Sequence, residues 1–287
     1  VHFGILLFIL VLATNITMAR LNTEDSNKHI LNKKNIIIIF YRYLLLPFFF
    51  ILFFYFSDFM INDLIKVIIL FLCTPTAIIA ITVSKSIGGF ISPTFSYTFL
   101  SSLISIVPFC LTLNLFFNKD ILFISILCIL LFTISVLIPY LFILLVRQKK
   151  PIKTAKIGER QSYISVILIS FFILLLSLDL KATSIDNLIL VFFLAIALRI
   201  LARIFASSNK INALDIYISM SYPNVFLIVL ISKMINLPLL EEIATLFLIP
   251  MFLLSIFDIW YSKKFYIQAK DEKLLQVLSI SSIPPRL

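Results

Sequence analysis

The chain has 287 residues, of which 61% are apolar and only 13% are charged. Soluble domains are about 45–50% apolar and about 25% charged, so this composition excludes a water-soluble globule and predicts an all-α, polytopic membrane protein. The three cysteines and two histidines do not fall at ligand spacing, so we expect no metal site and no cofactor.

Nine apolar segments are long enough to cross a bilayer, which takes about 20 residues in a helix. They cover 3–18, 36–57, 64–84, 91–117, 121–146, 162–179, 188–206, 214–235 and 243–262. We expect 1–287 to form a single membrane domain of about nine transmembrane helices, in which 263–287 is a cytoplasmic tail.

Lysine and arginine between these segments favour one side of the membrane. Seventeen fall on one side, whereas only Lys119 and Lys181 fall on the other. Cytoplasmic loops carry the positive excess, so we expect the N-terminus outside and the C-terminus in the cytoplasm of a bacterial inner (plasma) membrane. The net charge of +10 is then a consequence of topology, and no nucleic-acid partner is expected.

A few charged residues fall inside the predicted spans. Arg42, Arg203 and Asp258 lie within about two turns of the cytoplasmic ends, where we expect long side chains to reach the membrane surface. Arg199 lies deeper and is four residues from Arg203, so a pairing of these arginines with Asp258 is a second interpretation. No carboxylate or histidine cluster suggests an active site, so we do not expect an enzyme.

Two spans contain an internal proline beside hydroxyl-bearing residues. The third has Thr74-Pro75-Thr76 after a cysteine, and the eighth runs from Ser219 through Ser221 to Pro223-Asn224. Proline removes a backbone donor and disfavours helix before it, so each site frees peptide groups that lipid cannot satisfy. One interpretation is a kink in which hydroxyls bond back to their own helix; the other is a broken helix that holds a guest.

The positions of the two prolines favour the broken helix. The third and eighth spans run in opposite directions, and one additional span before the chain would make them matching members of two inverted five-span repeats. Interrupted spans at matching positions indicate the binding site of a secondary transporter. The predicted substrate-binding residues are Thr74, Pro75, Thr76, Ser221, Pro223 and Asn224.

At these residues the chain resembles the bile acid:sodium symporter family. Pro75, the Ser84-Lys85 turn, Thr98, Ser101-Ser102 and Pro108 follow the order of polar and proline residues in the fourth and fifth spans of that family. The stretch that ends in Asn224 is similar to its ninth span. The similarity covers 64–117 and 188–262, and a divergent member without the first transmembrane helix would fit the span count.

The resemblance implies an inverted-repeat transporter fold with two crossed broken helices. The panel bundle would comprise 3–18, 121–146 and 162–179, and the core bundle would comprise 36–117 and 188–262. A small organic anion would bind between them. The acidic residue of the family's sodium sites is missing here, so the resemblance implies at most weak ion binding, with Na⁺ or H⁺ as the candidate coupling ion. The predicted ion-binding residues are Thr98, Ser101, Ser102 and Ser219.

These observations give a leading expectation and two alternatives. The leading one is a secondary active transporter, a symporter whose partners are the lipid bilayer and a small organic anion. The alternative is a non-transporting structural or regulatory membrane protein descended from that fold. A membrane-embedded lipid enzyme is a third reading. Substrate identity and oligomeric state stay open at this level.

Overall fold

The computed structural model describes residues 33–56, 62–87, 89–149, 185–207 and 213–258, together with isolated positions between 4 and 15. Half of the predicted span 3–18, the span 162–179 and the tail 263–287 lie outside the described residues. The predicted panel bundle is therefore represented mainly by its 121–146 segment.

Between residues 33 and 258 the described chain is helical, and ten helices there follow the apolar segments. They are α1 (Lys33–Phe56), α2 (Asp63–Cys73), α3 (Ile79–Ser86), α4 (Ile91–Ile104), α5 (Ile106–Phe117), α6 (Ile121–Val146), α7 (Ile185–Ser207), α8 (Ala213–Ser221), α9 (Val225–Met234) and α10 (Pro238–Asp258). Two of these helices contain a π-helical turn, at Tyr41–Leu45 in α1 and at Thr133–Leu137 in α6.

Several helices are suited to a bilayer. Helices α1, α6, α7 and α10 are long and apolar enough to cross it, and α4 with α5 makes a fifth if this pair, bent by 41°, counts as one span. Apolar side chains such as Phe49 and Leu122 are exposed on α1 and α6, as expected where lipid surrounds the protein. The predicted class, an all-α membrane protein, is confirmed.

Helix boundaries agree with the predicted spans to within a few residues, except in the last span. Helix α10 begins at Pro238, five residues before the predicted start at 243. Proline is favoured in the first turn of a helix, because the N–H that it lacks would have no acceptor within the helix there. The two proline-containing spans are each divided into two helices, α2 with α3 and α8 with α9.

The main core lies between the divided spans and their neighbours. Leu70 of α2 and Ile228 of α9 are fully buried, and the rings of Phe71 and Phe247 lie 4.8 Å apart between α2 and α10. Close packing on both sides of each division fixes where the non-helical segments lie. The two divisions are thereby held against each other inside the protein.

Candidate functional site

The two proline-containing segments interrupt their helices at the predicted positions. The first lies between Cys73 and Ile79, and the second lies between Ser221 and Val225. Thr74, which precedes Pro75, has the extended backbone (φ −72°, ψ 133°) that a following proline favours. The prediction of broken helices, as opposed to kinked continuous ones, is confirmed.

The two breaks pair with each other through one antiparallel β-bridge. Thr76 and Pro223 stand opposite each other. On either side of them the Ala77 amide donates to the Tyr222 carbonyl and the Asn224 amide donates to the Pro75 carbonyl, both at 2.7 Å. The predicted approach of Pro75 and Asn224 is confirmed.

The pairing occupies backbone amides that would otherwise be free to bind a ligand. The Ala77 and Asn224 amides are already satisfied by the opposite break, and the Thr76 amide donates to Ser101 Oγ at 3.1 Å. The expectation that freed peptide groups await a ligand is therefore wrong for these three amides. The paired breaks, residues 74–78 and 222–224, form one hydrogen-bonded unit, here named the crossing, in which these three amides are not open to a ligand.

Hydroxyls at the ends of α2 and α8 bond back to their own helices. Thr74 Oγ1 donates to the Leu70 carbonyl at 2.8 Å, and Ser221 Oγ donates to the Tyr217 carbonyl at 2.7 Å. Leu70 is one of the last four residues of α2, whose carbonyls lack an intrahelical donor, whereas Tyr217 is the fifth residue from the end of α8. Of these two predicted binding residues, Thr74 therefore acts as a local cap.

The four predicted ion-binding hydroxyls are divided between two helices. On α4, Thr98 Oγ1 donates to the Thr94 carbonyl, and Ser101 and Ser102 both donate to the Thr98 carbonyl. Ser219 of α8 donates to the Asp215 carbonyl at 2.6 Å. Within the described residues no group of three or more His, Cys, Asp or Glu side chains could hold a metal ion.

Tyr43 of α1 contacts the first break and the end of the helix that precedes the second break. Its hydroxyl lies 2.8 Å from Thr76 Oγ1 and 3.4 Å from the Ser219 carbonyl, which it reaches as a donor. Tyr43 belongs to the π-helical turn of α1, and neither the turn nor the contact is visible in the apolar sequence around it. Sequence reasoning therefore missed this residue.

Arg42, in the same π-helical turn, is buried with 2% of its surface exposed. Its Nη1 donates to the Leu72 carbonyl at 2.8 Å, in the last turn of α2. The expectation that Arg42 extends toward the membrane surface is wrong, because the side chain points into the bundle and completes the end of a broken helix.

Asp215 links three helices and was also missed. Its Oδ1 accepts hydrogen bonds from Ser84 Oγ at 2.7 Å, Thr94 Oγ1 at 3.2 Å and the Phe90 amide at 2.9 Å. A Cβ atom on Gly89 would lie 2.6 Å from the same oxygen, so only glycine fits beside it. An aspartate in the first turn of a predicted span, 214–235, was the available signal.

The predicted pairing of Asp258 with an arginine is confirmed for Arg199. The two form an ion pair at 2.8 Å, and the Tyr222 hydroxyl donates to the same carboxylate oxygen at 2.8 Å. Arg203 is exposed on α7. Because Tyr222 belongs to the second break, this network connects the crossing to both α7 and α10.

A small pocket of about 20 Å³, with room for roughly one water molecule, lies where the crossing meets α6. Pro75 and Asn224 form the side belonging to the crossing, and Ser102 lines it from α4. Ser135 lines it from the π-helical turn of α6, where Phe132 and Val136 supply apolar surface. Of the predicted site residues, the pocket therefore brings Pro75, Asn224 and Ser102 together.

The pocket favours negative charge. It lies at the N-terminus of α9, where Asn224 is the capping residue and its Oδ1 accepts from the Leu227 amide at 3.2 Å. A helix N-terminus carries about half a positive charge. The hydroxyls of Ser102 and Ser135 donate to carbonyls of their own helices, so the positive end of α9 is the feature that favours an anion here. Among the described residues that line the pocket, none is a carboxylate.

No protein-family model and no curated protein matches the chain. The resemblance to bile acid:sodium symporters accordingly rests on the residues quoted above.

Proposed function

We propose that the protein is a secondary active transporter of a small organic anion, similar to the bile acid:sodium symporters, and that the anion binds in the pocket beside the crossed breaks. The observation that carries this proposal is the position of that pocket. It lies between the paired breaks and α6, which is where the resemblance implies a crevice between core and panel. In this structure the pocket has room for about one water molecule, so an anion can enter only when α6 moves away from the paired breaks.

The order of the helices supports an inverted-repeat arrangement. Helix α1, the broken pair α2 and α3, and the bent pair α4 and α5 make up the first series. Helix α7, the broken pair α8 and α9, and α10 repeat that order in the second. Two crossed broken helices at matching positions are the usual site of alternating access in secondary transporters. Movement of this unit against α6 would open the pocket to one side of the membrane at a time.

The experiment measures both binding and transport. Purified protein is heated in detergent with a panel of aliphatic and aromatic carboxylates and sulfonates, and the anions that raise the apparent Tm are tested for uptake into proteoliposomes. We expect at least one anion to do both, because a ligand that binds only the folded state raises Tm. Asn224→Ala should lower both responses, since it removes the one amide side chain, with its N–H donors, among the described residues that line the pocket.

Ser232→Ala is the matched control. Ser232 lies in the same helix and is fully buried, but its hydroxyl donates to the Val229 carbonyl, away from the pocket. It should leave both responses unchanged. Binding without uptake of any anion would favour the alternative, a non-transporting regulatory or structural protein of this fold. If no anion binds, or if both variants behave alike, the proposed site is wrong.

A further inference from the structure

Arg42 is placed where a positive charge is costly. Its guanidinium is buried, with Cζ 4.9 Å from the centre of the Tyr43 ring, and its Nε has no hydrogen-bond partner. Across the described part of the chain it forms no ion pair, whereas Arg199 has Asp258 at 2.8 Å. Burial of an unpaired charge is strongly unfavourable, so something else has to stabilise this guanidinium.

The stabilising groups are the ends of the broken helices. Arg42 donates to the Leu72 carbonyl in the last turn of α2, and the next residue, Tyr43, reaches the Ser219 carbonyl in the last turn of α8. The C-terminus of a helix carries about half a negative charge, because its last carbonyls lack intrahelical donors. One π-helical turn therefore supplies a side chain to each of the two C-terminal ends that meet at the crossing.

Carriers with broken helices place their coupling cation at such half-helix C-terminal ends and freed carbonyls. We propose that the Arg42 guanidinium takes the place of that cation, so that the positive charge at the crossing is permanent and covalently attached. The inference rests on the proposed transport function and predicts that transport does not require Na⁺. The nearby hydroxyls of Thr98, Ser101 and Ser219 supply no negative charge that would favour sodium in addition.

The test replaces Arg42 by alanine and asks whether a free cation can substitute for the lost one. Wild type, Arg42→Ala and the control Arg203→Ala are heated in detergent in choline chloride, with and without NaCl or millimolar guanidinium chloride. Arg203 suits the control because it is an exposed arginine. We expect Arg42→Ala to have a lowered Tm that guanidinium or Na⁺ restores toward the wild-type value, while the other two proteins show no cation dependence.

A merely structural cap gives a different result. In that case the loss of Tm in Arg42→Ala would persist in every cation, and this outcome would overturn the inference, as would the absence of any loss. If Arg42→Ala does not fold, Arg42→Lys and Arg42→Gln replace it. Only the glutamine variant, which lacks the charge, should then acquire a Tm that depends on Na⁺; identical behaviour of the two would also overturn the inference.

Uptake separates this inference from the function on which it rests. Wild-type uptake should be equal in sodium and choline gradients, and uptake by Arg42→Ala should require Na⁺. Sodium-dependent uptake by the wild type would overturn the role of Arg42 and leave the transport function standing. No uptake of any anion would remove the transport function, whereas the cation dependence of Tm would still decide whether Arg42 replaces a bound cation.

Discussion

Single side chains connect the two breaks to the rest of the protein, and Tyr43 does so most directly. Its hydroxyl contacts Thr76 in the first break and the Ser219 carbonyl before the second, inside a region closed to solvent. A buried hydroxyl of this kind contributes more when its partners have no alternative donor. We therefore expect the Tyr43 hydroxyl to stabilise the crossing through its two hydrogen bonds.

Tyr43→Phe tests this contribution at the scale of one atom. We expect it to lower the free energy of unfolding by about 1–3 kcal/mol, because it leaves buried polar groups without their partner. Thermal or denaturant unfolding in detergent measures the change. The control is Tyr41→Phe in the same helical turn, where the side chain is 54% exposed and no comparable loss should occur. Equal stability of the two variants would show that the Tyr43 hydroxyl does not hold the breaks.

Among the helices, α7 and α10 are joined by one ion pair near the second break. Arg199 and Asp258 lie 2.8 Å apart with about a tenth of each side chain exposed, and Tyr222 hydrogen-bonds to both. Loss of one partner leaves the other charge largely buried, whereas loss of both removes the problem. The loss of one partner should therefore cost more stability than the attraction between the two charges contributes.

A double-mutant cycle measures that dependence. Arg199→Leu and Asp258→Leu should each lower the free energy of unfolding by about 3 kcal/mol, and the double variant should be more stable than either single variant. Thermal unfolding of the four proteins in one detergent gives the comparison. If the two losses simply add in the double variant, the helices are not coupled through this pair.

Element boundaries and the breaks could be predicted from the sequence because their causes are local. Apolar runs of sufficient length and a proline such as Pro75 or Pro223 act through the backbone within a few residues. The roles of Arg42, Tyr43 and Asp215 could not be predicted in this way. Each depends on a partner distant in sequence, as Tyr43 does on Ser219, and periodicity does not reveal which distant segments meet.

In the molecule as a whole, two spans stop and pair inside the protein. The pairing of the breaks at Thr76 and Pro223 places the N-terminus of α9 beside the pocket and the C-terminal ends of α2 and α8 beside Arg42. Continuous helices would remove both the pocket and the reason for a buried guanidinium. The paired breaks are thus the feature on which both proposals rest.

Disulfide formation across the crossing tests this feature most directly. Thr76→Cys and Pro223→Cys are introduced together after Cys73, Cys110 and Cys128 are replaced by alanine, and the membranes are treated with a mild oxidant. Opposite residues of such a non-hydrogen-bonded antiparallel pair have Cα atoms about 4.5 Å apart, within the range that a disulfide spans. We expect rapid intramolecular crosslinking.

The control pairs Thr76→Cys with Ser232→Cys, which lies nine residues beyond Pro223 and about 13 Å farther along its helix at 1.5 Å per residue. Crosslinking is read as a mobility shift after the chain is cleaved at a protease site inserted between 150 and 161. This interval lies between the two cysteines in the sequence and outside the predicted spans. We expect the fragments to stay joined for Thr76→Cys with Pro223→Cys and to separate for the control. Separation of both pairs would contradict the crossing.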